Sequence, residues 1–131
     1  MTPPPGGRGL AGRRAAYKRG RGAEARAALL LRAKGYRIIA RDYRCRVGEI
    51  DIIARRGRVL VAVEVKARAK LSDAAEAIGP RQRARITRAL SDFMARHGDL
   101  AQCDIRFDAV LLSPRQWPRH IVDAWRPSGD D

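Results

Sequence analysis

Aromatic side chains are scarce in this chain, with two Phe, two Trp and three Tyr among 131 residues. A core must therefore be packed from Val, Ile, Leu and Ala, which suits layered α/β architecture. Cysteine is equally sparse. Cys45 and Cys103 form no Cys-x-x-Cys pair and no ligand pair with His97 or His120, which excludes a disulfide framework and a zinc site of ordinary spacing. No stretch approaches the roughly 18 apolar residues of a membrane-spanning helix, and no secretory apolar segment is read at the start. A reduced cytoplasmic protein without membrane association is expected. Acidic residues are outnumbered, 14 Asp and Glu against 28 Lys and Arg, for a net charge of +14. That imbalance points to a polyanionic partner, nucleic acid first. Docking on anionic lipid lacks the amphipathic helix with large apolar anchors that it would need.

The basic excess is concentrated at the start. Residues 1–22 hold six basic residues (Arg8, Arg13, Arg14, Lys18, Arg19, Arg21) and no acidic one. Pro3-Pro4-Pro5-Gly6-Gly7 opposes helix formation, so residues 1–20 are expected to be a disordered basic arm, 21–127 a single domain and 128–131 a short tail. Within the domain, Ala23 to Lys34 has helical apolar spacing and Gly35 as a stop. Three strands should follow: Tyr36 to Tyr43, Gly48 to Ala54 and Arg58 to Ala67. The last two form a hairpin around Arg55-Arg56-Gly57. Ser72-Asp73 can cap a short helix broken by Gly79-Pro80. A longer helix then runs to about His97, with Ile86, Ala89, Leu90, Phe93 and Met94 as its apolar stripe. Strands through Ile105 to Leu111 and His120 to Trp125 complete the order. The expected class is α/β, a mixed sheet flanked by helices.

Four ionisable residues interrupt the apolar hairpin: Glu49 and Asp51 on its first strand, Glu64 and Lys66 on its second. Side chains alternate along a strand, so each pair shares one face of its own strand. A two-residue loop at Arg56-Gly57 sets Arg55 opposite Arg58, Glu49 opposite Glu64 and Asp51 opposite Ala62. All four charges then share a face, and Asp51 and Glu64 come within reach of one shared ion. A loop of odd length would send the two pairs to opposite faces. Even parity also gathers Ile50 and Ile52 with Val61, Val63 and Val65 as a core on the other face, while Leu60, Ala62 and Ile53 flank the charges. Surface salt bridges are the plain reading of charged strand residues. Beside apolar neighbours, however, three carboxylates with one ammonium repel unless a cation joins them. Oxygen ligands suit Mg²⁺ or Mn²⁺. Lys66 is one of only four Lys, against 24 Arg. A compact ammonium can position a water or stabilise charge on phosphate, and its pKa can be tuned as that of Arg cannot. Metal, lysine and a basic surface together suggest phosphodiester hydrolysis.

At Gly48-Glu49-Ile50-Asp51, Val63-Glu64-Val65-Lys66 with Arg68, and Arg106-Phe107-Asp108, the chain resembles the uncharacterised bacterial UPF0102 (YraN-like) family. More distantly it is similar to archaeal Holliday-junction resolvases. The resemblance spans about Arg21 to Trp125 and implies the restriction-endonuclease-like fold, whose motif of an Asp followed by Glu-x-Lys falls on Asp51, Glu64 and Lys66. It implies a metal held by Asp51, Glu64 and the Val65 carbonyl, with Glu49 as an auxiliary carboxylate or ligand to a second ion. It also implies a role for Glu24, which taken alone is an ordinary first-turn helix acid. The family commonly has Asn where Asp42 stands and Lys where Arg81 stands. The expected function is a Mg²⁺- or Mn²⁺-dependent nuclease acting on DNA rather than RNA, on branched or flapped forms. The alternative is a non-catalytic nucleic-acid-binding module that keeps the fold. Arg68, Arg81, Arg83, Arg85 and Arg88 are candidate phosphate contacts, equally readable as a solvated face. Arg106 and Asp108 are expected to form a structural ion pair, Cys45, His97 and His120 have no assigned role, and a homodimer is left open.

Overall fold

A computed structural model of the chain describes the backbone of residues 10–69 and 78–127. Helix α1 (Leu10–Ala33) leads into strands β1 (Arg37–Cys45), β2 (Gly48–Arg56) and β3 (Val59–Ala67). Helix α2 (Pro80–Arg96), a 3-10 turn (Gly98–Leu100) and strands β4 (Asp104–Ser113) and β5 (Gln116–Ile121) follow. The sheet has five strands in the order β1-β2-β3-β4-β5. β3 and β4 are parallel and the other neighbours antiparallel. Only the parallel pair needs a crossover, and α2 supplies it. The α/β class and the mixed sheet flanked by helices are as the sequence implied.

α1 begins at Leu10, not Ala23, so the backbone of residues 10–20 is helical where a disordered arm was expected. The prolines lie upstream of Leu10, and Ala, Arg and Lys beyond them are good helix formers. The helix closes as expected at Gly35, whose φ of +90° suits glycine. Tyr36 N–H donates to the Leu31 carbonyl at 2.9 Å and Gly35 N–H to that of Arg32 at 3.0 Å, the paired bonds of a Schellman stop. Tyr36 and Leu31 are buried in the same cluster. α2 starts with Pro80 at its first turn, as the Gly79-Pro80 step suggested. The short helix expected after Ser72-Asp73 lies outside the described residues. β5 ends at Ile121, whereas a strand from His120 to Trp125 was expected. The chain turns back at once after Ser113, and Trp125 leaves the sheet to stack on Phe107 with ring centroids 4.3 Å apart.

Two apolar layers enclose the sheet. Ile53, Leu60, Ala62, Phe107, Ala109 and Leu111 pack with Ile86, Leu90 and Phe93 of α2. Ile52, Ala54, Val61, Val63, Val110 and Leu112 pack with Ala27, Ala28 and Leu31 of α1. Fully buried side chains of this size contribute roughly 1.5–3 kcal/mol each. The expected division of faces holds except at Ile50, which joins the α2 side while Ile52 joins the α1 side. No pair forms at Asp42 and Asp51 between Arg41↔Ile52 and Tyr43↔Ile50, and Asp42 has a φ of +53°, a left-handed conformation in which Asp is enriched. The alternation changes phase there. Gly48 fits for a different reason: a Cβ on it would lie 2.1 Å from the Arg85 carbonyl oxygen, so α2 crosses β2 at a distance only glycine permits.

The hairpin loop has two residues, as expected, but they are Gly57-Arg58, with Arg56 opposite Val59 and Ile52 opposite Val63. The register is offset from the expected one, which had set Arg55 opposite Arg58. Gly57 at φ +61° takes the left-handed turn position. The even loop keeps the parity expected near the turn, but the phase change at Asp51 sends Glu49 to the α1 side, so the four charges do not share one face as expected.

Candidate functional site

Pairing between β2 and β3 ends at Ile52↔Val63. Beyond it, β2 continues along β1 down to Gly48, and β3 continues along β4 up to Ala67. The sheet splits, and the charged residues line the two sides of the split. Asp51, at the phase change of β2, reaches across it: its Oδ2 accepts the Val65 N–H at 2.8 Å, replacing the ladder bond that the parted strands no longer make. Glu64 on β3 is buried, its side chain 7% exposed. Its Oε1 accepts from Gln82 Nε2 of α2 at 2.8 Å and lies 3.4 Å from Lys66 Nζ.

Asp51 and Glu64 face each other across the split and act on each other electrostatically. Burial first, and then the charge of Asp51, push Glu64 up to about 8 against the opposing pull of Lys66. Asp51 is raised by burial and by the charge of Glu49, opposed by the Val65 N–H, Glu64 and Lys66. Burial and repulsion within the pair thus favour a proton on Glu64. Glu24 on α1 is pushed up to about 7, by burial and then by Asp51 and Asp42, against Arg41 and Arg44.

Asp51, Glu64 and Lys66 are therefore neighbours at the split, with Glu24 on the α1 side close enough to feel Asp51 and Gln82 of α2 bonded to Glu64. Glu49 is exposed at the margin, paired across the ladder with Arg44. Among the described residues no three His, Cys, Asp or Glu are gathered closely enough to hold a metal ion by themselves. A buried and a half-buried carboxylate that repel each other nevertheless fit a hard divalent ion in their donor chemistry, because Mg²⁺ ordinarily takes one or two carboxylates and keeps several waters.

The candidate arginines divide. Arg81, Arg85 and Arg88 are exposed along one stripe of α2. Arg83 is engaged with the fold, its Nε donating to the Ile78 carbonyl at 3.0 Å and its guanidinium 5.8 Å from the Trp125 ring centroid. Arg68 is exposed just past β3 and donates to the Ala67 carbonyl at 2.8 Å.

Two features escaped the sequence reading. Gln82 lies one helical turn before Ile86 and so extends the buried stripe of α2; a polar residue on that stripe is the signal that could have found it. The second is a network around Asp108, whose side chain is fully buried. The expected ion pair is present, with Arg106 Nε and Nη2 each 2.8 Å from an Asp108 oxygen. His120, to which no role was given, donates Nε2–H to Asp108 at 2.7 Å, and its Nδ1 accepts from Lys34 at 2.5 Å. The Asp123 N–H adds a bond at 2.9 Å. Burial would raise Asp108, but His120, Arg106 and this N–H together hold it at about 2. Cys45 donates to the Gly48 carbonyl, and His97 stacks on Phe93.

The model of the family described as "Uncharacterised protein family UPF0102" matches residues 23–112. A UPF0102 protein of Parvibaculum lavamentivorans is 54% identical over 113 residues, covering 86% of this chain and 85% of its own. One from Methylorubrum extorquens is 50% identical over 131 residues, covering 98% and 99%. Among solved structures, the chain is similar to Archaeoglobus fulgidus Hjc, a Holliday junction resolvase, at 23% identity and a TM-score of 0.45, with 76% of this chain and 74% of that one covered. No helix among the described residues is long and apolar enough to cross a membrane.

Proposed function

The chain belongs to the UPF0102 family, and from the geometry of its split sheet we propose that it is a metal-dependent nuclease hydrolysing phosphodiester bonds in DNA. The observation that carries this reading is the gathering of a buried carboxylate, Glu64, and a half-buried one, Asp51, beside a single ammonium, Lys66, in a chain of net charge +14. Asp51 and Glu64 would hold Mg²⁺ or Mn²⁺, with the Val65 carbonyl as a further oxygen ligand. A divalent ion bound there supplies Lewis acidity to a phosphoryl oxygen and lowers the pKa of a water. Gln82 and the Val65 N–H fix the rotamers of the two carboxylates, so the donors are oriented before any ligand arrives. Lys66 places a positive charge where a phosphate would approach. Glu24 from α1 and Glu49 from β2 stand at the border of the pair. Arg68, Arg81, Arg85 and Arg88 would contact phosphates on either side; branched and flapped DNA are the substrates of choice.

A non-catalytic nucleic-acid-binding module is the reading favoured by the lack of a third gathered ligand among the described residues. One panel separates the two. Purified protein is incubated with duplex, single-stranded, flapped and four-way DNA and with RNA, in Mg²⁺, Mn²⁺ or chelator, alongside Asp51→Asn and Lys66→Ala. A nuclease cuts at least one substrate only with metal, and both variants lose cleavage, by at least about a hundredfold. Cleavage that persists undiminished in Asp51→Asn, or no cleavage of any substrate by wild type, leaves the binding module.

A further inference from the structure

Trp117 is 90% exposed, and the fold gains almost nothing from it. It stands on β5, the free edge of the sheet. Between Leu111↔Arg119 and Ser113↔Gln116 the register shifts, and β5 spends one residue more than β4 over that interval. The bulge falls at Trp117-Pro118. Bulges bend a strand and re-aim a side chain, and a proline there blunts the edge against pairing with another strand. Edge protection accounts for the bulge, the proline and the arginines; it does not call for a tryptophan, the most costly side chain to leave in water.

The register also fixes where this hairpin lies. Glu64 is level with Ala109 and Ile121, and Lys66 with Leu111 and Arg119. Arg119 is thus two strand spacings from Lys66, roughly 10 Å, and Trp117 lies slightly beyond it at the same end of the sheet. That span is about three nucleotide steps of a stacked strand. Exposed cations border it: Arg68 at the end of β3, Arg115 in the β4–β5 turn and Arg119 on β5. Residues 113–122 contain no acidic side chain.

We propose that Trp117 is a stacking platform for an unpaired nucleobase of the nucleic acid held at the carboxylate pair. The arginines around it hold the flanking phosphates. This rests on the reading of the site as one that receives nucleic acid, and adds to it a basis for selectivity. Every base offers a π-face to an aromatic ring only when it is unstacked from a neighbour, so the platform favours single strands, flaps and branch points over continuous duplex without reading sequence.

The test is equilibrium binding in chelator, with no divalent ion, of wild type, Trp117→Ala and Trp117→Phe to labelled oligo-dT, a flapped duplex and a closed dumbbell duplex. The dumbbell is closed at both ends by non-nucleotide linkers, so it presents no unpaired base. Trp117→Ala should weaken oligo-dT and flap binding by roughly five- to a hundredfold, and leave the dumbbell within about twofold, as loss of one base–aromatic stack requires. Trp117→Phe should keep most of the affinity. Oligo-dT should quench the emission of the exposed Trp117 in wild type and leave that of the buried Trp125. Equal losses on all three ligands, unchanged affinity for all three, or no binding of nucleic acid by wild type overturns the proposal. So does a shift from dimer to monomer in sedimentation of Trp117→Ala, which would make the surface a contact between copies of this chain. Because no arm involves cleavage, a wild type that binds with Trp117 quenched yet cuts nothing sinks the nuclease reading alone. A Trp117→Ala protein that binds every ligand as wild type does sinks the platform alone.

Discussion

Replacing Glu64 by Gln probes the carboxylate pair without any substrate. The folded-state value of Glu64 is about 8, against 4.5 for the ordinary side chain. Between those values the folded protein holds a proton that the unfolded chain has released. The stability associated with it is therefore fully present below 4.5 and is lost as pH rises through about 8. Gln imitates the protonated acid at every pH. Its amide oxygen can still accept the Gln82 bond, and what it forfeits is the ion pair with Lys66 at 3.4 Å. The influence of Lys66 ranks below both burial and Asp51, so the balance favours the amide. At pH 5 the variant and wild type should be nearly equal in stability, and at pH 8 the variant should be more stable by up to about 4 kcal/mol, at roughly 1.4 kcal/mol per pH unit. For a domain of this size that is on the order of a 10 °C rise in Tm. Thermal unfolding followed by circular dichroism in chelator, at intervals from pH 5 to pH 8, measures it. Addition of Mg²⁺ or Mn²⁺ at pH 8 should raise the Tm of wild type and not that of the variant, since the ion binds only the folded carboxylates. A Glu64→Gln protein no more stable than wild type at pH 8 would refute the claim that the pair is under-neutralised.

Asp51→Asn, besides losing cleavage, should bind DNA in chelator as tightly as wild type or more so, because one negative charge facing phosphate is gone; weaker binding in a filter or anisotropy assay would contradict this. Deleting residues 1–20 removes Arg8, Arg13, Arg14, Lys18 and Arg19 and should lower affinity for all nucleic acids together while flattening the salt dependence by about 0.9 per lost phosphate contact. A changed substrate preference would instead make that segment a recognition element. Asp108→Asn should destabilise by about 2–4 kcal/mol at pH 7, because it leaves the half-buried Arg106 charge without its buried partner. Denaturant midpoints test this. The contribution of Asp108 is present above its ordinary 3.8 and lost as pH falls through about 2, so the variant should also have a shallower stability loss in that acid range.

The strands bearing the charges were legible because their periodicity is local: apolar alternation marked β2 and β3, and Gly57 marked the turn. The exact register was not, since Gly57-Arg58 and Arg56-Gly57 are both plausible two-residue loops. Parity near the turn survived that offset; the meeting of Asp51 with Glu64 also depends on the split of the sheet beyond Ile52↔Val63. The phase change at Asp51 was hidden for a different reason. It depends on the left-handed backbone of Asp42 in the neighbouring strand, a contact between strands that no window along one of them contains. The same holds for Glu24 and Gln82, brought to the site by two helices on opposite sheet faces. Family resemblance supplied the first; the second could have been read only by noticing a polar residue on an apolar stripe. His120 went unassigned because its partners, Lys34 and Asp108, lie on other elements.

Two buried carboxylate centres lie within one sheet, and they differ in how they are neutralised. Asp108 carries one charge and receives two bonds from Arg106, one from His120 and one from the Asp123 backbone. It is held at about 2. Asp51 and Glu64 could carry two charges and receive the Val65 N–H, Gln82 and Lys66; Glu64 is pushed to about 8. Burial acts on both in the same direction, so burial cannot explain the contrast. The donors do. A chain with 28 basic residues has ample means of placing a guanidinium beside Glu64, as it places Arg106 beside Asp108, and such a pairing would stabilise the fold. The carboxylate pair instead keeps a proton that a divalent cation would displace, at the one place where the sheet opens. Structural ion pairs are completed from within the chain. On the proposed reading a site short of positive charge would be completed from outside it, and this imbalance is what separates the Asp51–Glu64 pair, as a candidate for function, from Asp108, as a strut of the fold.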